Sequence, residues 1–325
     1  MKENSGPGSI GRRQFLTRGG GTVLGLAIPA FVKSYAGDKE LPPGLESSPS
    51  TGEGFSKTGY QDMLRRALQY RKIDAHNHVD EQARKAVDIV RSCDRVGIGH
   101  TAVSIPNGKT PKEIRDNNNI VLKAMKEFPG RVLGQCYINP NFKKESIEEI
   151  NRCVGEGMVM LGELYNAVKI NDPLYYPIIE RCIELKIPLL MHATSTFANW
   201  WKGYPPAQPT TASVGEDFVD ISRRYPEAMI IHGHIGGGGI WEYVCKVMQH
   251  APNVYVDTSG SVCDEAMIDM AIQYIGADRL LFATDVNFES GVGKIMWAKL
   301  TEEQRKKIFF DNFNNLLKKA GNHVD

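Results

Sequence analysis

No two cysteines in this chain stand in a C-x-x-C arrangement. The six present, Cys93, Cys136, Cys153, Cys182, Cys245 and Cys263, are scattered, which argues against a zinc ribbon or a redox motif. Most lie in apolar, periodic surroundings and read as buried thiols. Charge of one sign is also missing. The formal net charge is +1 over 325 residues, so nothing suggests a nucleic-acid partner. The apolar run near the N-terminus is short and broken by glycine, too weak for a permanent membrane span. The glycine cluster in "GHIGGGG" lacks the lysine of a P-loop and the acid that follows a dinucleotide fingerprint. No internal repeat and no second domain boundary is visible.

Near-neutrality hides an uneven distribution. Residues 1–36 hold Lys2, Arg12, Arg13, Arg18 and Lys33 against Glu3 alone, leaving the remainder slightly acidic. Paired Arg12 and Arg13, then Phe15 and Leu16, a modest apolar run to Val32, and small residues at Ser34 and Ala36 form the layout of a bacterial twin-arginine export signal. The bland alternative is a disordered tail with a chance arginine pair. Cleavage is expected near Ala36–Gly37, and no cysteine there offers a lipoprotein anchor. The expectation is a periplasmic or secreted protein, handed folded to the twin-arginine machinery and without a stable membrane anchor. Residues 37–58, rich in Pro, Gly and Ser, read as a flexible linker. Residues 59–325 are expected to form one folded domain.

In that domain short β-rich runs alternate with helical patterns. The runs are Lys72–His76, Ile98–Ile105, Val132–Ile138, Gly157–Leu164, Ile187–His192, Met229–His234, Val254–Thr258 and Leu280–Thr284. Segments such as "PLYYPIIERCIELK" and "DEAMIDMAIQYI" carry apolar residues three and four apart. Eight strand–helix units in about 250 residues predict a (β/α)8 TIM barrel. A doubly wound open sheet is the alternative. The last helical stretch opens at Thr301, with Glu303 close behind as a capping signal.

Reactive side chains gather at the predicted strand ends. His76 and His78 end strand one and, two apart on a strand, share a face. Two imidazoles so held suit a shared zinc ion. His192 ends strand five, His234 strand six and Asp285 strand eight. A satisfied core histidine explains any one of these but explains the set poorly, because barrel enzymes build their sites at that end.

Asp74-Ala-His76-Asn-His78, Pro188–His192, "YPEAMIIHGHIGG" and "ADRLLFATD" together resemble the amidohydrolase superfamily, in the branch that includes aminocarboxymuconate-semialdehyde decarboxylase-like enzymes. The resemblance runs from about Ile73 to the C-terminus. It implies one divalent metal, usually zinc, held by His76, His78, His192 and Asp285, with His234 assisting catalysis. A metal-activated water would attack a C–N or C–O bond of a small molecule. Asp285 would carry the proton, and His234 would polarise the carbonyl or stabilise the oxyanion. Decarboxylation on the same fold is the alternative, and an exported metal- or ligand-binding protein without catalysis is a third reading. Glu163, ending strand four, is open as a fifth ligand bridging a second metal, a substrate contact, or an ion-pair partner of Lys169 or Lys186. The long loop after strand five carries Trp200 and Trp201, read as pocket wall or homodimer contact. Asn139, Asn166, Ser259 and Asn287 are further pocket candidates. The residues after Asp285 depart from the family's usual proline-containing pattern, and no arginine stands clearly at a strand end for a substrate carboxylate. His232, two residues before His234, reads as a hydrogen-bonded inner-barrel residue on the same face.

Overall fold

The structure is a computed structural model that describes residues 57–165, 167–194, 211–236 and 240–325, with the backbone alone for 57–61. Its secondary-structure elements all belong to the compact unit Phe55–Asp325. Eight strands follow one another in space as in sequence: β1 (Ile73–His78), β2 (His100–Ser104), β3 (Val132–Cys136), β4 (Met160–Leu164), β5 (Leu189–Met191), β6 (Ile230–His232), β7 (Val254–Asp257) and β8 (Leu280–Leu281). Every neighbouring pair is parallel. The seam between β1 and β8 is closed by single bonds: the Ala75 N–H donates to the Phe282 carbonyl (2.9 Å) and the Asp285 N–H to the His76 carbonyl (2.8 Å). The result is the TIM barrel that the alternation predicts.

Around it run α1 (Lys57–Gln69), α2 (Ala86–Val96), α3 (Pro111–Glu127), α4 (Lys143–Gly155), α5 (Tyr176–Leu185), α6 (Gly215–Arg224), α7 (Trp241–Met248), α8 (Met267–Tyr274), α9 (Phe288–Trp297), α10 (Glu302–Lys306) and α11 (Asn312–Lys318). Parallel strands are covered on both faces, so nearly every strand residue is buried rather than every second one. One face packs on the helices, through residues such as Val121, Ile150, Ile179 and Val244. The other fills the barrel with Ile73, Leu133, Met160, Leu190, Ile231 and Leu281, and Phe313 and Leu316 of α11 join that inner cluster. Helix ends follow local rules. The Thr110 hydroxyl accepts from the Glu113 N–H, with Pro111 at the first helical position. At α10 the capping box pairs Thr301 with Gln304, one residue beyond the Glu303 that the sequence suggests. Among the described residues no helix is long and apolar enough to cross a membrane.

Several strands are shorter than the apolar runs suggest, and the reason bears on the site. His234 (φ 63°), Asp285 (φ 45°) and Val286 (φ 60°) take left-handed backbone, so in β6 and β8 pairing stops before His234 and Asp285. Two β-bulges also interrupt the ladders, between Asp74 and Asn77 in β1 and between Leu161 and Leu164 in β4. A bulge adds one residue and re-aims the side chains after it. At the β4 bulge Gly162 has φ 127°, and a Cβ there would fall 2.5 Å from the Leu190 carbonyl oxygen, so only glycine fits.

Candidate metal centre

The bulges turn β1 and β4 toward one point at the carboxyl end of the barrel. His76 Nε2 and His78 Nε2 lie 3.2 Å apart. Glu163 Oε2 is 3.4 Å from each, and Asp285 Oδ1 is 3.2 Å from His78 Nε2. The other oxygen of Glu163 faces a second pair, 2.7 Å from His192 Nδ1 and 2.9 Å from His234 Nε2, and these two nitrogens are 3.0 Å apart. Glu163 therefore stands between two histidine pairs. All five sequence-predicted residues, His76, His78, His192, His234 and Asp285, meet around it. It makes no ion pair with Lys169, which binds Asp217 at 3.0 Å.

A ring of partners holds this cluster, of which sequence reasoning named only Ser259 and missed Asp257 and Ser104. Asp257, the last residue of β7, accepts from His76 Nδ1 at 2.8 Å. Its Oδ1 accepts the His234 N–H (3.0 Å) and the Ser259 hydroxyl (2.6 Å). Ser259, a pocket candidate from the sequence, lies 2.9 Å from His234 Nδ1. Ser104 lies 3.4 Å from His78 Nδ1, and its Oγ accepts the Glu163 N–H at 3.1 Å. The signal for Asp257 was a carboxylate ending a strand in "VYVDTSG", the same kind of position that singles out Asp285.

The electrostatics are those of a coupled ion cluster. Burial pushes Glu163 up, but the surrounding imidazoles outweigh it and hold its carboxyl well below the usual range. Asp257 and Asp285 are lowered for the same reason. Burial likewise pushes His76 and His78 down, and the carboxylates facing them raise both above the ordinary histidine value. Protons on imidazole here balance buried negative charge, a role a divalent cation can take over.

The donor set fits such an ion. Ligands about 2.0–2.1 Å from a metal stand roughly 3.0–3.4 Å from one another in tetrahedral or octahedral geometry, the spacing found among His76, His78 and Glu163 and between His78 and the nearer Asp285 oxygen. The nitrogen of His76 turned away from the cluster bonds Asp257, the carboxylate–histidine arrangement that orients metal ligands. The groups His76–His78–Glu163 and Glu163–His192–His234 each bring three buried donors within 4.8 Å of one another.

Other candidates fall elsewhere. Asn287 is exposed and donates to the Asp285 carbonyl (3.0 Å), which gives it a role in the turn. Asn139 accepts the Asn141 N–H, also within its own turn. Asn166, Trp200 and Trp201 lie outside the described residues. His232 is the clear correction. It faces the helix layer, its ring 4.6 Å from that of Phe218 on α6, and neither ring nitrogen has a hydrogen-bond partner among the described residues. Alternation from β6 does not extend to His234 because the backbone there turns left-handed.

Comparison with known proteins agrees with this architecture. An amidohydrolase family model matches residues 73–312. The gamma-resorcylate decarboxylase of Polaromonas sp. strain JS666 is 28% identical over 251 residues, covering 63% of this chain and 76% of that protein. The crystal structure of a dihydroxybenzoic acid decarboxylase from the same strain, with bound manganese and the inhibitor 2-nitroresorcinol, superposes with a TM-score of 0.59 at 21% identity, covering 77% of this chain and 97% of that one. The 4-oxalomesaconate hydratase of Rhodopseudomonas palustris superposes with a TM-score of 0.58 at 18% identity, covering 76% and 96%. The chain is thus a metal-dependent enzyme of this fold. It belongs to the amidohydrolase family.

Proposed function

We propose that this enzyme catalyses the non-oxidative decarboxylation of a small hydroxylated aromatic acid. The observation that carries the reading is the similarity to gamma-resorcylate decarboxylase over 251 residues, in a chain whose buried donor cluster suits a divalent cation. This reverses the order expected from the sequence, in which hydrolysis by a metal-activated water came first. His76, His78, Glu163 and Asp285 would hold the cation, with His192 against the other oxygen of Glu163. Manganese, bound in the related structure, suits this mixed nitrogen and oxygen set as well as the zinc expected from sequence.

A bound divalent cation supplies Lewis-acid polarisation of the substrate's carboxylate and phenolic oxygens. Loss of carbon dioxide leaves the electron pair of the broken C–C bond on the ring carbon, which must then take a proton. Asp285 is the carboxylate open to the barrel mouth, its side chain 26% exposed against 3% for Glu163, and there it takes up a proton from solvent and passes it to that carbon. His234, held by Ser259, orients the substrate oxygen nearest it. Tyr165, exposed just beyond β4 with its ring 4.3 Å from that of His192, gives an aromatic substrate a wall to lie against.

Hydrolysis is kept as a second reading on one observation: Glu163 faces two separate histidine pairs, an arrangement that suits two cations clamping an attacking and a leaving oxygen. We further propose that residues 1–36 direct export, so that the mature enzyme works in the periplasm. Replacing Arg12 and Arg13 by lysine is then expected to leave the precursor in the cytoplasm, and normal export would refute it. The activity is tested by incubating manganese-loaded enzyme with 2,6-dihydroxybenzoate and related acids, following carbon dioxide and the phenol formed. Turnover of amides or lactones without any carbon dioxide release would overturn decarboxylation in favour of hydrolysis.

A further inference from the structure

A bulge in a parallel strand carries a cost, because backbone N–H groups lose their ladder partners and buried ones must find others. In β1 the groups affected belong to His76 and His78. Side chains of the same strand satisfy both. The His76 N–H donates to Asp74 Oδ1 (3.2 Å), and the His78 N–H donates to Asn77 Oδ1 (2.8 Å). Asp74 also reaches across the barrel seam. Its Oδ1 accepts the Thr284 N–H (2.9 Å) and its Oδ2 the Thr284 hydroxyl (2.7 Å), one residue before Asp285. The same Oδ2 accepts from the Thr101 hydroxyl of β2 (3.0 Å) and from Asn77 Nδ2 (3.0 Å). All four residues are buried. Cys93 of α2, near Asp74 and Thr101, belongs to the apolar layer between strands and helices. A buried carboxylate in such a layer is expensive unless every lone pair is used. Here the donors it collects flank His76, His78 and Asp285.

We infer that Asp74, with Asn77, is the positioning group of the metal centre: it holds the β1 bulge that aims both histidines and locks the β8 end carrying Asp285 to the same point. It touches neither cation nor substrate. This inference rests on the metal reading above and adds which residues outside the cluster set its geometry.

The test is Mn²⁺ binding by the full chain after removal of metal, measured by competition with a chelator, for wild type and for Asp74→Asn. The amide nitrogen of asparagine would face Asn77 Nδ2, donor against donor, while the side chain keeps its shape. Binding about tenfold to hundredfold weaker is expected, the range seen when a partner of metal ligands is lost. Ile150→Val, in the helix layer away from the seam, serves as a control whose fall in Tm leaves Mn²⁺ affinity unchanged. Folded Asp74→Asn that binds Mn²⁺ within twofold of wild type would overturn the inference. If that variant does not fold, Thr284→Val decides: binding about threefold to tenfold weaker supports it, and affinity within twofold overturns it. A wild-type chain that takes up no Mn²⁺ would instead overturn the metal reading beneath it.

Discussion

Asp257 and His76 are joined by a 2.8 Å hydrogen bond between two fully buried side chains. When the ring gives up its second proton, the bond keeps the remaining one on Nδ1 and leaves the Nε2 lone pair turned toward Glu163 and His78. Asp257→Asn keeps the shape but lets the amide impose the wrong tautomer on the ring. Cation affinity is expected to fall about tenfold to hundredfold, with far-UV circular dichroism unchanged. Chelator competition checks this, and undiminished affinity would remove the orienting role of Asp257.

Glu163 joins the two histidine pairs through its two oxygens. Glu163→Gln removes the negative charge that faces His76, His78, His192 and His234. Cation content is expected to drop by about one per chain, and turnover about a hundredfold or more. Elemental analysis of the purified variant reads the first and a single-turnover assay the second. A variant with wild-type metal content would show that Glu163 is not a ligand.

Binding of the cation should depend on pH in a definite direction. The pKa values of His76 and His78 are raised in the metal-free site, so a cation that binds neutral imidazole must displace protons there. Affinity is expected to rise with pH through these raised values, with proton release visible by calorimetry in buffers of different ionisation enthalpy. The metal-free fold responds in the opposite sense. Stability contributed by the protonated pair is full below the ordinary histidine pKa and is lost as pH rises through the raised values. Binding without proton uptake or release would contradict the charge balance described for the cluster.

His232 titrates the other way. Burial pushes its pKa down to about 4, while the unfolded chain holds it near 6.5. The stability linked to it is full above about pH 6.5 and drains away as pH falls toward 4, by on the order of 3 kcal/mol. His232→Leu is expected to flatten that acid limb and, by removing two ring nitrogens that have no partner among the described residues, to cost little at pH 7. Denaturant unfolding between pH 4 and pH 8 checks this. An unchanged acid limb would mean that His232 is not held neutral by its burial.

How far the sequence leads varies from residue to residue. His76, His78, His192, His234 and Asp285 were legible because barrel topology sends successive strand ends to one rim. Glu163 was legible as a candidate, though not as the group between two pairs, because its aim depends on a bulge and on a glycine at φ 127°. Asp257 was missed because a carboxylate ending an apolar strand looks the same whether it binds a metal or a histidine. His232 was misread because alternation describes extended backbone only, and the chain leaves that conformation at His234.

By itself the sequence determined the eightfold strand–helix order and the family motifs, since both arise from local periodicity and short spacings. Only the tertiary structure decided which nitrogen of each histidine faces the centre and which carboxylates face it with them. Those partners lie far apart along the chain, 181 residues in the case of His76 and Asp257. They meet only when the barrel closes, and no local pattern encodes where a bulge will aim a ring.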